Sequence, residues 1–206
     1  MTTVVSKPQA AVEEHHPPTR SMGWYGMVFF IGSEAVFFAN LIAAYLYLYV
    51  RDGRNFNPPG PGHVELDVRL ALVNTAILLA SSFPMHFAAR AIARGDRQRF
   101  PWLLLGAIIL GAIFISIQIY EYVNNGFGPS TGVIGSTFYT LTGFHGAHVT
   151  AGLVFLTVLF FRGLRGDFSK DKHFAVTAGE MYWHFVDVVW VFLMSLVYLL
   201  PLVVGY

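Results

Sequence analysis

The sequence predicts an all-α, polytopic membrane protein, a bundle of five transmembrane helices with its N-terminus cytoplasmic and its C-terminus outside. Three observations carry this. Of 206 residues, 55% are apolar and 12% charged, about half the ~25% charge of a soluble domain. The apolar residues fall into five long blocks, each with the roughly 20 residues a helix needs to cross about 30 Å of hydrocarbon. Lys and Arg, finally, gather on one set of connecting loops.

The blocks run over about 24–50, 68–93, 101–123, 136–161 and 180–204. Turn chemistry or charge separates them: Pro58-Pro59-Gly60-Pro61-Gly62, Arg94-Gly95-Asp96-Arg97, Asn124-Asn125-Gly126 and Arg165-Gly166-Asp167. A soluble helical bundle would need a polar face on every helix, and segments 101–119 and 188–204 have none. Residues 1–22 read as a flexible polar arm without the apolar stretch of a secretory signal. Its adjacent His15 and His16 are expected to be solvated. The loop 51–67 is too rich in Pro and Gly to form a helix. Pro84, inside the second block, should kink that helix or free a carbonyl for a neighbour to satisfy.

Orientation follows from the basic residues. With the N-terminus inside, the inner side carries ten of the 13, namely Lys7, Arg20, Arg90, Arg94, Arg97, Arg99, Arg162, Arg165, Lys170 and Lys172. The outer side keeps Arg51, Arg54 and Arg69. Trp24, Trp102, Tyr120, Tyr122 and Tyr206 fall near span boundaries, where amphipathic rings anchor helices.

Composition also excludes functions. A net charge of +1 supplies no basic stripe for a nucleic-acid partner. The absence of cysteine excludes disulfides, thiolate zinc sites, iron–sulfur clusters and haem attached through Cys. No G-x-S-x-G, Walker loop, dinucleotide fingerprint or H-E-x-x-H occurs. No motif here equips the chain for catalysis by itself.

The informative residues are ionisable groups inside the spans, each costly enough to require a reason. Glu34 lies ten residues into the first block, about 15 Å deep at 1.5 Å per residue. His145 and His148 are spaced i, i+3 on the fourth block and so share one face, with Thr142 a turn earlier and small residues (Gly143, Gly146, Ala147, Ala151, Gly152) around them. Glu180, His184 and Asp187 make one polar stripe on the fifth. Three helices thus bring carboxylates and imidazoles to overlapping depths. Depth favours His148 as the direct partner of Glu34, with His184 reachable only through packing or water. Three readings compete: structural pairing between helices, which these residues favour; proton handling; and a metal or haem site, in which Glu180, His184 and Asp187 could hold an ion. His86 reads as an interfacial residue, and His63 and His173 fall in loops. Gln118, Glu121 and Tyr122 close the third block, where side chains can snorkel to water.

Five stretches, in order, carry a resemblance. They are Ser33-Glu34-Ala35-Val36-Phe37-Phe38; Asn74-Thr75-Ala76-Ile77-Leu78-Leu79-Ala80-Ser81-Ser82; Glu121-Tyr122; Gly135-Ser136-Thr137-Phe138-Tyr139 running on to Thr142-Gly143-Phe144-His145-Gly146-Ala147-His148-Val149; and Tyr182-Trp183-His184-Phe185-Val186-Asp187-Val188-Val189-Trp190. Together they resemble subunit III of cytochrome c oxidase and the related quinol oxidases, over residues 24–206. The resemblance implies a non-catalytic subunit of a bacterial plasma-membrane oxidase, with haem and copper held by partner subunits and no cofactor or metal ligand in this chain. It implies packing against oxidase subunit I, association with subunit II and small subunits, and a place in a respiratory supercomplex. Structural phospholipid would be bound, and proton uptake and resistance to inactivation during turnover sustained. The family's intramembrane glutamate matches Glu34. Long members carry two further helices ahead of these five, with lipid in the intervening cleft, and this chain is expected to lack them. Phe144-His145-Gly146-Ala147-His148 in its Thr-Gly-Phe context resembles the cytochrome c branch more than the quinol branch. The alternatives are a quinol oxidase subunit, an independent membrane haem protein or transporter, and a scaffold protein.

The orientation has a direct check, since the chain has no cysteine of its own. Ser169→Cys should resist a membrane-impermeant thiol reagent in intact cells, and Asn57→Cys should react. The opposite labelling pattern reverses the topology.

Overall fold

The structure, a computed structural model, describes residues 22–57 and 64–204. The arm expected over residues 1–22 lies outside the described residues apart from Met22, which opens the first helix. Five helices are long and apolar enough to span a membrane, and no strand occurs among the described residues. They are α1 (Met22–Asp52), α2 (Val68–Ala93), α3 (Arg99–Asn124), α4 (Gly132–Leu164) and α5 (Phe174–Leu193). The last span continues through a π-helical turn, Met194–Leu199, into α6, Leu200–Val204.

Local chemistry sets the helix ends. The Asp67 carboxylate accepts the Arg69 and Leu70 amides at 3.1 and 3.0 Å and caps α2, satisfying donors the helix cannot. α2 and α4 end on the same motif. Gly95 and Gly166 take positive φ (85° and 79°), and the amides that follow, of Asp96 and Asp167, reach back to the carbonyls of Ala91 and Arg162. This 6→1 closure favours glycine at the left-handed position. Arg162 Nε also meets Asp167 at 3.1 Å.

Three boundaries differ from the sequence expectation. α5 begins at Phe174, six residues before the expected 180, because its first turns are packed: Val176 is buried, and a Cβ on Gly179 would stand 2.9 Å from Leu159. α4 begins at Gly132 rather than 136. The loop after α1 does hold helix, since α1 runs to Asp52 and a 3₁₀ turn follows at Gly53–Asn55. That turn delivers Phe56 onto Tyr45 and Tyr49, with ring centroids 5.5 and 5.2 Å away. α2 continues through Pro84, whose ring faces Gly106 of α3, where a Cβ would lie 3.5 Å from the proline.

The π turn was not legible in the sequence. Pro201 lies just beyond it; a proline inside a helix clashes with the carbonyl four residues earlier, here that of Val197, and removes a donor. Widening the preceding turn accommodates both effects. Tyr45 of α1 donates to the Leu196 carbonyl in this turn at 3.2 Å.

Helices consecutive in the chain run antiparallel, and hydrogen bonds join α2 to α5 along a seam. Trp190 Nε1 donates to Thr75 Oγ1 at 2.9 Å, and Trp183 Nε1 to Ser81 Oγ at 2.8 Å. Both indoles are fully buried. Asn74 Nδ2 ties α2 to the Phe114 carbonyl of α3 at 3.2 Å. Trp183 fills the space left by glycines of two other helices: a Cβ on Gly111 would stand 2.8 Å from its ring, and one on Gly152 2.9 Å. α1 sits at the margin, with only Phe38, Tyr45 and Tyr49 buried.

Gly111→Ala should therefore destabilise the chain by about 1–3 kcal/mol through overpacking. Gly146→Ala, with nothing within 4 Å of the added atom, should be neutral or gain up to about 1 kcal/mol from helix propensity. Unfolding midpoints of the two variants in detergent test this; equal midpoints would contradict the packing described for Trp183.

Candidate functional site: paired carboxylates and imidazoles inside the bundle

The structure resolves the predicted polar residues into separate groups rather than one cluster. The first joins α1 to α4. Glu34 Oε2 lies 2.9 Å from His148 Nε2, and both side chains are largely shielded. His148 Nδ1 meets the Phe144 carbonyl at 2.7 Å. A carbonyl only accepts, so Nδ1 carries a proton. His148 Nε2 and Glu34 then share one further proton, as carboxylic acid with imidazole or as carboxylate with imidazolium. Tyr182 of α5 donates to the His148 carbonyl at 3.0 Å, and Phe38 packs edge-on against the imidazole at 4.8 Å.

The second group joins α2 to α5, nearer the ends that carry loops 94–98 and 165–173. His86 Nδ1 lies 2.6 Å from Glu180 Oε1, and His184 Nε2 lies 3.8 Å from the same oxygen. On its other side His184 Nδ1 lies 3.2 Å from Ser82 Oγ and 3.8 Å from Asp187 Oδ2. Ser82 donates to Asp187. The expected stripe of Glu180, His184 and Asp187 is thus in place, but its cross-helix partners are Ser82 and His86 of α2. His86 is no mere interfacial residue.

His145 joins neither group. Spacing of i, i+3 turns it about 60° from His148, since each residue advances roughly 100°, and that is enough to face a different neighbour. It is buried, stacks on Trp190 at 4.9 Å and 29° and meets the edge of Phe114 at 6.0 Å. Neither ring nitrogen has a hydrogen-bond partner among the described residues. The expectation that all these groups pair with one another is corrected here; His145 serves as an aromatic ring in the core.

A further group was misread. Gln118 and Glu121 do not snorkel; each is 3% exposed. Glu121 accepts from Tyr198 at 2.9 Å and from Gln118 at 3.0 Å, while Tyr122 donates to Thr142 at 2.6 Å. The signal was present in α3, where Leu104, Ala107, Gly111, Phe114, Gln118 and Glu121 recur at alternating spacings of three and four. That is the buried stripe of a helix, and it carries both polar residues inward.

Two shallow apolar grooves flank α1. One, of about 430 Å³, runs between α1 and α5 past Ala35, Phe38, Ile42, Phe185 and Val188. The other, of about 320 Å³, is lined by Met27, Phe30, Ala151, Phe155, Ala178 and Tyr182.

Residues 5–201, which include every group above, match the family described as cytochrome c oxidase subunit III. The chain belongs to that family. It is 39% identical to cytochrome c oxidase subunit 3 of Thermostichus vulcanus over 203 residues, covering 96% of this chain and 97% of the relative. It is likewise 39% identical to the Bos taurus subunit 3 over 194 residues, 92% of this chain and 74% of that one, and 40% identical to the Lemur catta subunit 3 over 194 residues, 92% and 71%. It is therefore a multi-pass membrane protein of the respiratory chain and a subunit of an oxidase complex.

For the Glu34–His148 pair the geometry gives a two-variant test. Glu34→Gln supplies an amide N–H to the lone pair of neutral His148 and should keep stability within about 1 kcal/mol of the parent. Glu34→Ala leaves that nitrogen unpaired and should cost about 1–3 kcal/mol. A cycle with His148→Ala, read by unfolding in detergent, should recover most of that loss as coupling. Additive losses would show that the pair contributes nothing.

Proposed function

We propose that the chain is the non-catalytic subunit III of a bacterial cytochrome c oxidase, in the plasma membrane, with its N-terminus inside. It packs against oxidase subunit I in an assembly with subunit II and smaller subunits, and that assembly can join a respiratory supercomplex. Electron transfer and oxygen reduction take place at haem and copper in the partner subunits; this chain stabilises them, holds phospholipid and sustains proton uptake.

The observation that carries the reading is how the intramembrane histidines are used. Axial haem ligation needs an imidazole nitrogen facing an open slot. His148 has both nitrogens engaged, by Glu34 and the Phe144 carbonyl, and the buried His145 ring stacks on Trp190 with the edge of Phe114 beside it. The side chains are committed to joining helices, which supports an accessory role over an independent haem protein. The grooves beside α1 support phospholipid binding, because each is apolar and suits acyl chains in shape and chemistry. A proton shared between Glu34 and His148 supports an accessory part in proton uptake. The relatives' names support cytochrome c as the electron source of the assembly, and the relative of matching length supports a bacterial membrane.

Optical spectra of the purified chain should show no haem bands. The oxidase depleted of this subunit should begin oxygen reduction at close to the intact rate and then lose activity over prolonged turnover. Immediate and complete loss of electron transfer in an otherwise assembled remainder would overturn the accessory role.

A further inference from the structure

The groups joining α2 to α5 have a geometry that helix pairing alone does not require. A single carboxylate oxygen, Glu180 Oε1, faces two imidazole nitrogens on different helices, His86 Nδ1 at 2.6 Å and His184 Nε2 at 3.8 Å. One ligand atom from each of the three residues lies within 4.8 Å of the others. Two ligands each about 2.0–2.1 Å from a tetrahedral zinc ion stand roughly 3.3 Å apart. The two observed separations bracket that value, and the remaining pair, the two imidazoles, also lies within 4.8 Å.

The environment of His184 prepares it as a ligand. Ser82 gives its only proton to Asp187, so its oxygen accepts from His184 Nδ1 at 3.2 Å. Asp187 Oδ2 stands 3.8 Å from the same nitrogen. The proton of His184 is thereby held on Nδ1, leaving the Nε2 lone pair directed at Glu180. A carboxylate behind an imidazole, fixing its tautomer and raising its basicity, is the arrangement that metal-bound histidines recurrently use.

We infer that His86, Glu180 and His184 form a binding site for a divalent cation of the zinc class, bridging α2 to α5, with Ser82 and Asp187 orienting the His184 ligand. This departs from the sequence expectation of a chain without metal ligands, and from the set that expectation considered, because His86 replaces Asp187 as the third ligand. Two nitrogens and one oxygen suit zinc better than magnesium or calcium, which take oxygen ligands. Three protein ligands leave a fourth position open to water or to a group from a partner. Glu180 is the seventh residue of α5 and His86 the eighth from the end of α2, so the site sits about 10 Å from the helix ends at 1.5 Å per residue. His86 and His184 keep 39% and 44% of their side-chain surface uncovered by this chain. The ion would replace the protons otherwise needed between Glu180 and the imidazoles, and would hold the two helices of the seam together at that end.

The test uses the full chain purified in detergent, stripped with a chelator and titrated with zinc chloride alone. The parent should bind one saturable equivalent. His15→Ala with His16→Ala should retain it; Glu180→Gln, His86→Gln and His184→Gln should each lose it. Asp187→Asn should weaken it by about 10- to 100-fold, the usual effect of removing a partner behind a metal-bound histidine. Zinc-edge X-ray absorption on the parent needs no variant to fold, and should read two imidazoles plus oxygen at about 2.0–2.1 Å. The proposal fails if no saturable equivalent appears, if the equivalent survives both Glu180→Gln and His184→Gln, or if the shell contains fewer than two imidazoles.

Discussion

Everything else in the bundle is arranged around the hydrogen-bonded seam between α2 and α5. Passing along α2 from Thr75 through Ser81 and Ser82 to His86, the partners on α5 are Trp190, Trp183, His184 with Asp187, and Glu180. The order is that of two antiparallel helices in one register. In water such bonds would be replaceable, but in hydrocarbon an unpaired indole or carboxylate costs several kcal/mol. Sliding one helix past the other by a single turn would unpair every rung at once. Lipid supplies no hydrophobic force between helices, so this polar ladder, with the glycine-lined space for Trp183, is what selects one packing from many. The α2 and α5 stretches that resemble the family carry the rungs of that ladder from Thr75 to Ser82.

Depth was legible in the sequence, and azimuth was not. Five spans followed from block length and composition, and the depth of Glu34 and His148 followed from the helical rise. Which way a residue faces depends on the rotation of each helix against its neighbours. For that reason His145 and His148, which share a face by spacing, meet different surroundings, and His86, expected at an interface, stands opposite Glu180. Helix ends failed where tertiary packing overrode local polarity, as at Val176 and Gly179 in the first turns of α5. The buried pair Gln118 and Glu121 was a failure of reading, since the stripe through Leu104, Ala107, Gly111 and Phe114 points directly at both.

Two intramembrane carboxylates occupy opposite circumstances, and the contrast bears on what each can do. Glu121 is sealed between Tyr198 and Gln118 and is 3% exposed, close to the π turn that Pro201 imposes. Both of its partners donate to it, so it is held as an acceptor. Glu34 sits on α1, the helix least enclosed by the others, and retains 24% of its side-chain surface. Its partner His148 has Nδ1 committed to the Phe144 carbonyl, which leaves Nε2 as the nitrogen that faces the carboxylate. One pair locks α3 to the end of α5; the other clips a marginal helix onto α4. If either carboxylate takes part in proton traffic, the geometry assigns that part to Glu34. Glu121 is left with the structural one.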